Sequence, residues 1–438
     1  MTLEENLRKH AQLTPDKCAV VSGTESVSYS QLWESIQERA CQLSSSGLER
    51  HRPYVFRASQ DAAFIATYCA VHLLQAIAVP LEHAVPDEVF NRVKDEVQTC
   101  SFAPDIVDIL YTTGSTGKAK GVMLSELCLE ACADNFISEM NFHPELVFIV
   151  SGPLNHIASL FKIHPILSVG GTLCILDGLR DINAFFKVFS LPYHHFATFL
   201  VPASIRLLLQ FASNQLHEVA HLVDFIETGA APISSTDMQR LSKALPQSRL
   251  YNTYGGTEIG CVCTYQFNDG KYMEGCIGRH MRNASIEISS DGSFVISGKT
   301  IMSGYVADEQ HTANVLRNGK IYADDLGYVD DLGLIHITGR RDDIINVGGY
   351  KVDPVEIENT VNSIPEIRDC ICVADTHPIL GTSLKLLYVV EDNKVVDKRT
   401  IALHIKSCLE SYKVPLAYEQ VTAIKSTYNG KKDRKAYR

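Results

Sequence analysis

The sequence predicts an α/β protein: a large N-terminal domain of mixed sheets flanked by helices, with a small β-barrel-like part, followed by a small α+β C-terminal domain. Three observations predict this. Short apolar runs alternate with helical text through the middle of the chain, the pattern of a sheet covered by helices. Gly-turned hairpin text then replaces the alternation. Beyond Arg341 a compact tail mixes helix and strand signals, so the boundary falls at Arg341–Asp342, giving domains 1–341 and 342–438.

In chain order, ILYTT leads into a glycine-rich loop, and VFIVSG and TLCIL read as short buried strands. HHFATFLV reads as a strand followed by a helical PASIRLLLQ, and DFIETGAAP and RLYNTYGGTE each read as a strand ending in a loop of small residues. In such sheets ligand loops lie at the carboxyl ends of the strands. GSFVISGKTIMSGYV and GYVDDLGLIHITGR read as antiparallel hairpins. In the tail, GGYKV is a candidate strand. DPVEIENTVNSI begins as a helix should, with Asp353 at the N-cap, Pro354 in the first turn and Glu356 placed to bond back to the cap. Two strands, RDCICVAD and KLLYVVED, a helix through TIALHIKSCLESY and a last strand near EQVTAI complete it.

Composition narrows the function. A formal net charge of −11 argues against a nucleic-acid binder, which needs clustered Lys and Arg. Lys431, Lys432, Arg434, Lys435 and Arg438 nevertheless gather positive charge near the end of the chain, with Lys432 expected in solvent. No apolar run reaches the ~18 residues of a membrane span, and MTLEENLRKH has no apolar core of a secretory signal. The 13 cysteines include no CxxC, and the pairs Cys261/Cys263 and Cys370/Cys372 lie in strand-like text. They read as reduced core thiols of a cytoplasmic protein, with a structural zinc as the alternative.

The chemistry concentrates in Tyr111–Val122, YTTGSTGKAKGV, where three glycines, four hydroxyls and two lysines follow a strand. Glycines let backbone approach phosphate closely, hydroxyls donate to its oxygens and lysines balance its charge. The spacing is not that of a Walker A loop. The segment resembles the phosphate loop of the adenylate-forming superfamily (acyl-CoA synthetases, adenylation domains and luciferases), which commonly reads YTSGTTGKPKGV. Later segments resemble that family's motifs in the same order. Gly229, Ala230 and Ala231 match the loop beside the adenine, and NTYGGTE, Asn252–Glu258, matches NxYGxTE. YADDLG resembles the family's ribose motif around Asp325, with Asp324 in place of its glycine, and GRRD, Gly339–Asp342, resembles its hinge. TYNGKKDR resembles its closing T-x-x-GK-x-x-R, with the lysine at Lys431.

The resemblance implies the following roles. Thr112, Thr113, Gly114, Ser115, Thr116, Gly117, Lys118 and Lys120 would surround the outer phosphates of ATP. Asn252, Tyr254 and Gly255 would lie beside the nucleotide, with Tyr254 flanking the adenine. Thr257 would touch the α-phosphate and Glu258 would bind Mg²⁺. Asp325 would hold the ribose, Arg340 would contact ribose or phosphate, and Asp342 would be the pivot of a mobile small domain. Lys431 would neutralise the α-phosphate and the substrate carboxylate. A thiol, from coenzyme A or from the phosphopantetheine arm of an acyl carrier protein, would enter near Gly348 and Gly349. His156, in PLNH, matches the region beside the substrate carboxylate, and the acid pocket would be walled by residues 195–204, 229–231 and 255–261. No aspartate matches the one that holds an α-ammonium in amino-acid-activating relatives, so the implied small-molecule substrate is an acyl or aryl carboxylic acid. The phosphate loop begins nearer the start than in relatives, which implies a shortened N-terminal region of about 100 residues.

Overall fold

A computed structural model describes residues 1–112, 120–179, 181–343, 345–347, 350–377, 381–426 and 432–437, with the backbone alone at 342, 346, 350, 351, 381 and 435. The strands at Cys18–Ser22, Thr172–Ile175, Val147–Val150, Phe196–Phe199, Val223–Gly229 and Arg249–Gly256 lie side by side and parallel in a 14-stranded sheet. Those at Val147 and Thr172 are buried at every position, as continuous apolar runs in a parallel sheet require. A second sheet of five strands carries Pro53–Ala58, Ile77–Glu82 and Ile106–Thr112 in parallel, then turns antiparallel at Lys120–Ser125.

Helices fill the space around these sheets. Helix Ile157–Ser168 is almost wholly buried, although it contains Lys162 and His164. Each polar side chain has a partner. Lys162 Nζ donates to Glu227 Oε1 at 3.0 Å, and His164 Nε2 lies 2.9 Å from the Tyr68 hydroxyl. Pairing is what makes such burial tolerable. Among the described residues no helix is long and apolar enough to cross a membrane.

One expectation about the large sheets changes. The text read as one hairpin at 292–306 splits between sheets: Ser293–Gly298 pairs with Ala284–Ile288 and Lys320–Val329. Gly304–Tyr305 crosses to the five-stranded sheet and pairs with Met123 and Val122. Local turn chemistry cannot reveal that second partner, which is distant in sequence. The hairpin of Lys320–Val329 with Ile335–Arg340 forms as expected. The antiparallel strands read as a barrel-like part are, in strand order, a continuation of the 14-stranded sheet.

The C-terminal segment has its own sheet of three strands and its own apolar core, built from Ile345, Val352, Ile357, Leu386, Ile401, Ile405 and their neighbours. Asp353 caps helix Pro354–Asn362 through the Val355 N–H at 2.8 Å. Glu356 does not close the expected box: its carboxylate takes the Lys413 ammonium at 2.7 Å. The last strand, Ala417–Gln420, starts and stops earlier than EQVTAI suggests. All 13 cysteines are unpaired thiols, and both CxC pairs are buried.

Candidate active site

The candidate site forms where strand ends and hairpin turns converge. Strand Val223–Gly229 ends on Gly229, which pairs with Thr253 of its neighbour. Ala230 next to it sits at φ 63°, a left-handed conformation that a non-glycine residue holds only when its surroundings enforce it. Strand Arg249–Gly256 carries Asn252, Tyr254 and Gly255, then turns through Thr257 and Glu258 into the antiparallel strand Gly260–Gln266. Gly255 permits that close turn, since a Cβ there would collide with the Gly260 carbonyl. Thr257 is buried, as is Asn252, whose amide donates to the Cys276 carbonyl at 2.8 Å.

Tertiary contacts bring separated motifs together. The Tyr254 hydroxyl donates to Asp325 Oδ2 at 2.6 Å. Arg340 Nε lies 3.4 Å from Asp325 Oδ1, because the hairpin register sets Asp325 opposite Arg340. Burial, reinforced by the Asp325 charge, holds the Tyr254 phenol well above its ordinary range, so it remains a donor at neutral pH. A second group forms around Glu258, whose Oε1 accepts the Tyr305 hydroxyl at 3.2 Å. Lys120, where the chain leaves the glycine-rich loop, has its Nζ 5.4 Å from the Tyr305 ring centre and 2.6 Å from His311 Nε2. The crossover at Gly304–Tyr305 therefore ties the phosphate-loop strand to Glu258. Burial and then the charge of Glu258 raise the Tyr305 phenol in the same way.

His156 is the N-cap of the buried helix, its Nδ1 accepting the Ala158 N–H at 3.3 Å. A neutral imidazole in that role carries its proton on Nε2. Gln60 braces the loop before it. Its amide donates to the Gly152 and Leu176 carbonyls at 2.8 and 3.1 Å, and its oxygen accepts the Leu154 N–H at 3.2 Å. The first hundred residues thus help to position PLNH.

Thr112 ends the strand that enters the phosphate loop. Thr113, Gly114, Ser115, Thr116, Gly117, Lys118, Gly348, Gly349 and Lys431, and the Asp342 side chain, lie outside the described residues. Ser426 and Lys432 form an antiparallel bridge. Lys432 is not in solvent as expected. It lies 2.8 Å from Asp369 and 3.6 Å from Glu358, and Arg434 bonds Glu358 at 2.5 Å. Two members of the positive patch read in the sequence, Lys432 and Arg434, thus enter an internal ion network, since buried Glu358 needs cations beside it. Gly339 packs directly on the Asp353 carboxylate, leaving no room for a Cβ, so the segment read as a hinge abuts the first helix of the small domain.

His195 does not wall an acid pocket. It stands just before strand Phe196–Phe199, at the amino end of the sheet, while the candidate site lies at the other end. Tyr305, His311 and Gln60 escaped the sequence reading because no motif marks them. Tyr305 lies in text that reads only as a hairpin, and its pairing with Val122 is the missing signal.

The model of the AMP-binding enzyme family matches residues 90–306, and that of the AMP-binding enzyme C-terminal domain matches residues 356–431. The chain belongs to the adenylate-forming superfamily. It is similar to an indoleacetate–CoA ligase of Aromatoleum aromaticum, 24% identical with 95% of this chain and 93% of the relative covered. It is similar also to a D-alanine–D-alanyl carrier protein ligase of Bacillus licheniformis, 23% identical with 99% and 98% covered. Its fold matches that of ATP-bound MatB from Rhodopseudomonas palustris, with a TM-score of 0.88, 20% identity, and 100% and 99% of the two chains covered. This adenylate-forming enzyme thus carries its family's motifs on its family's architecture.

Proposed function

We propose that this adenylate-forming enzyme condenses ATP with an acyl or aryl carboxylic acid to give an acyl-adenylate and pyrophosphate, then passes the acyl group to the thiol of coenzyme A. The observation that carries the proposal is the joining of Tyr254, Asp325 and Arg340 into one polar cluster beside the turn that holds Thr257 and Glu258. A carboxylate is a poor acyl donor because its leaving group is oxide. Here its oxygen attacks the α-phosphorus, the bond to the bridging oxygen breaks and pyrophosphate departs.

The protein supplies position and charge. Asp325 offers acceptors to the ribose hydroxyls and is itself oriented by Tyr254 and Arg340. His156, fixed as a helix cap, stands for the acid, and Lys431 neutralises the two anions as they meet. Glu258 suits Mg²⁺: one oxygen is steadied by Tyr305, and a hard ion shared with substrate phosphates needs only one or two carboxylates. Bound there, Mg²⁺ would spread the charge of the phosphates. In the second half-reaction the small domain turns about Asp342, Lys431 withdraws, and the thiol sulfur attacks the acyl carbon near Gly348 and Gly349 with AMP as leaving group. Unpaired cysteines throughout the chain fit a reducing, cytoplasmic setting.

A second reading has a specific support: the relative from Bacillus licheniformis is a carrier protein ligase similar over nearly the whole chain. On that reading the acceptor is the phosphopantetheine arm of an acyl carrier protein. Acid-dependent ATP–pyrophosphate exchange across a panel of carboxylic acids tests the first half-reaction, and its absence with every acid would overturn the proposal. Mass analysis of the products with coenzyme A or with a carrier protein then separates the acceptors.

A further inference from the structure

At the opposite end of the same sheet three side chains from three segments meet, and we propose that His143, His195 and Asp224 form a binding site for a borderline divalent transition-metal ion such as zinc. His143 Nε2 lies 3.1 Å from Asp224 Oδ2, and His195 Nδ1 lies 3.0 Å from Asp224 Oδ1. The three ligand atoms all lie within 4.8 Å of one another, the one such group of three among the described residues. Zinc bonds of about 2.0–2.2 Å to nitrogen and oxygen at tetrahedral angles put neighbouring ligand atoms about 3.4 Å apart. The nitrogen–oxygen spacings already fit, and closing the imidazoles by at most ~1.5 Å completes the set. The side chains are part-exposed, at 23%, 44% and 22%, so an ion has access and water can take the remaining position.

Buried neighbours position all three side chains. Asn141, in the left-handed conformation, ends helix Glu126–Met140 and turns the chain so that Phe142 enters the core. Phe142 packs on Phe225, with ring centres 5.5 Å apart, which sets His143 beside Asp224. Phe196 is fully buried and places His195, whose carbonyl accepts the Val147 N–H at 2.8 Å. Each ligand is thus the sequence neighbour of a buried phenylalanine. Two imidazoles with one carboxylate favour zinc over the hard Mg²⁺ of the nucleotide site. The site is separate from that one, because Asp224 and Gly229 stand five residues apart on one strand, about 17 Å. An ion here would staple the amino ends of three strands.

The full-length protein, freed of metal, is titrated with Zn²⁺ alone by calorimetry and with Co²⁺ by visible absorption, and its melting is followed with and without Zn²⁺. One equivalent of Zn²⁺ per chain is expected, with a raised Tm. His143→Gln and His195→Gln, each shown to be folded by circular dichroism, are expected to weaken binding about 100-fold or more, because losing even an outer-shell partner of a ligand costs ~10–100-fold. Both variants should also lose the Zn²⁺-dependent rise in Tm. Glu258→Gln should bind as the wild type does. The absence of stoichiometric binding, binding in either histidine variant as tight as in the wild type, or loss of binding in Glu258→Gln overturns the proposal.

Discussion

The two ends of the central sheet use similar residue types in different ways. At the carboxyl ends Tyr254, Asp325, Arg340, Glu258 and Tyr305 hold one another across turns and hairpins. All but Tyr305 come from motifs visible in the chain, and Tyr305 joins them through its pairing with Val122. At the amino ends His143, His195 and Asp224 meet with similarly short contacts, yet no motif announces them. The difference teaches that a turn built to receive a ligand constrains several consecutive residues, whereas a side-chain cluster on strand starts constrains one residue per segment.

The largest expected effect concerns the sheet that feeds the carboxyl end. His72 is buried between Asp108, on the strand leading to the phosphate loop, and Glu4, at 2.8 and 3.2 Å. Removing it leaves a buried carboxylate without its cation, so His72→Ala should lose ~3–5 kcal/mol of stability, read by urea unfolding. Burial pushes the His72 imidazolium down, but the charge and hydrogen bond of Asp108, with those of Glu4, outweigh it and raise its pKa to about 10. The folded state therefore binds this proton more tightly than the unfolded chain, whose histidines titrate near 6.5. The stabilisation is complete below pH ~6.5 and is lost as pH rises through about 10. A wild-type stability that does not fall over that window would remove the charged pair from the account.

Next comes Lys431→Ala, expected to slow pyrophosphate exchange by ~10²–10³ while largely sparing transfer from supplied acyl-adenylate. Equal loss in both half-reactions would break the idea that this lysine serves one step only. Tyr254→Phe removes one hydrogen bond to a charged group, a contribution of ~1.5–3 kcal/mol, and should raise the KM for ATP by roughly tenfold or more with the acid KM little changed. An unchanged ATP KM would separate Tyr254 from nucleotide binding. Smallest is His143→Gln at the amino end, where exchange activity should stay within about twofold, the ±0.5 kcal/mol of a surface change. A large loss there would show that the two ends are coupled.

The sequence by itself determined the local elements: buried runs at Val147 and Thr172, the Asp353 cap, the Lys320–Arg340 hairpin, and the positions of Thr257, Glu258, Asp325 and Arg340 within recognisable motifs. These depend on periodicity, turn chemistry and short spacings, which a linear string displays. Tertiary structure alone decided that Gly304–Tyr305 would leave its hairpin for the phosphate-loop strand. It decided too that Gln60 would brace the loop before His156, that Lys432 and Arg434 would turn inward to Glu358, and that His143, His195 and Asp224 would meet. The physical reason is common to all four. A side chain's partner is set by packing and electrostatics between segments far apart in the chain, and nothing in the spacing of residues encodes which distant group will satisfy it.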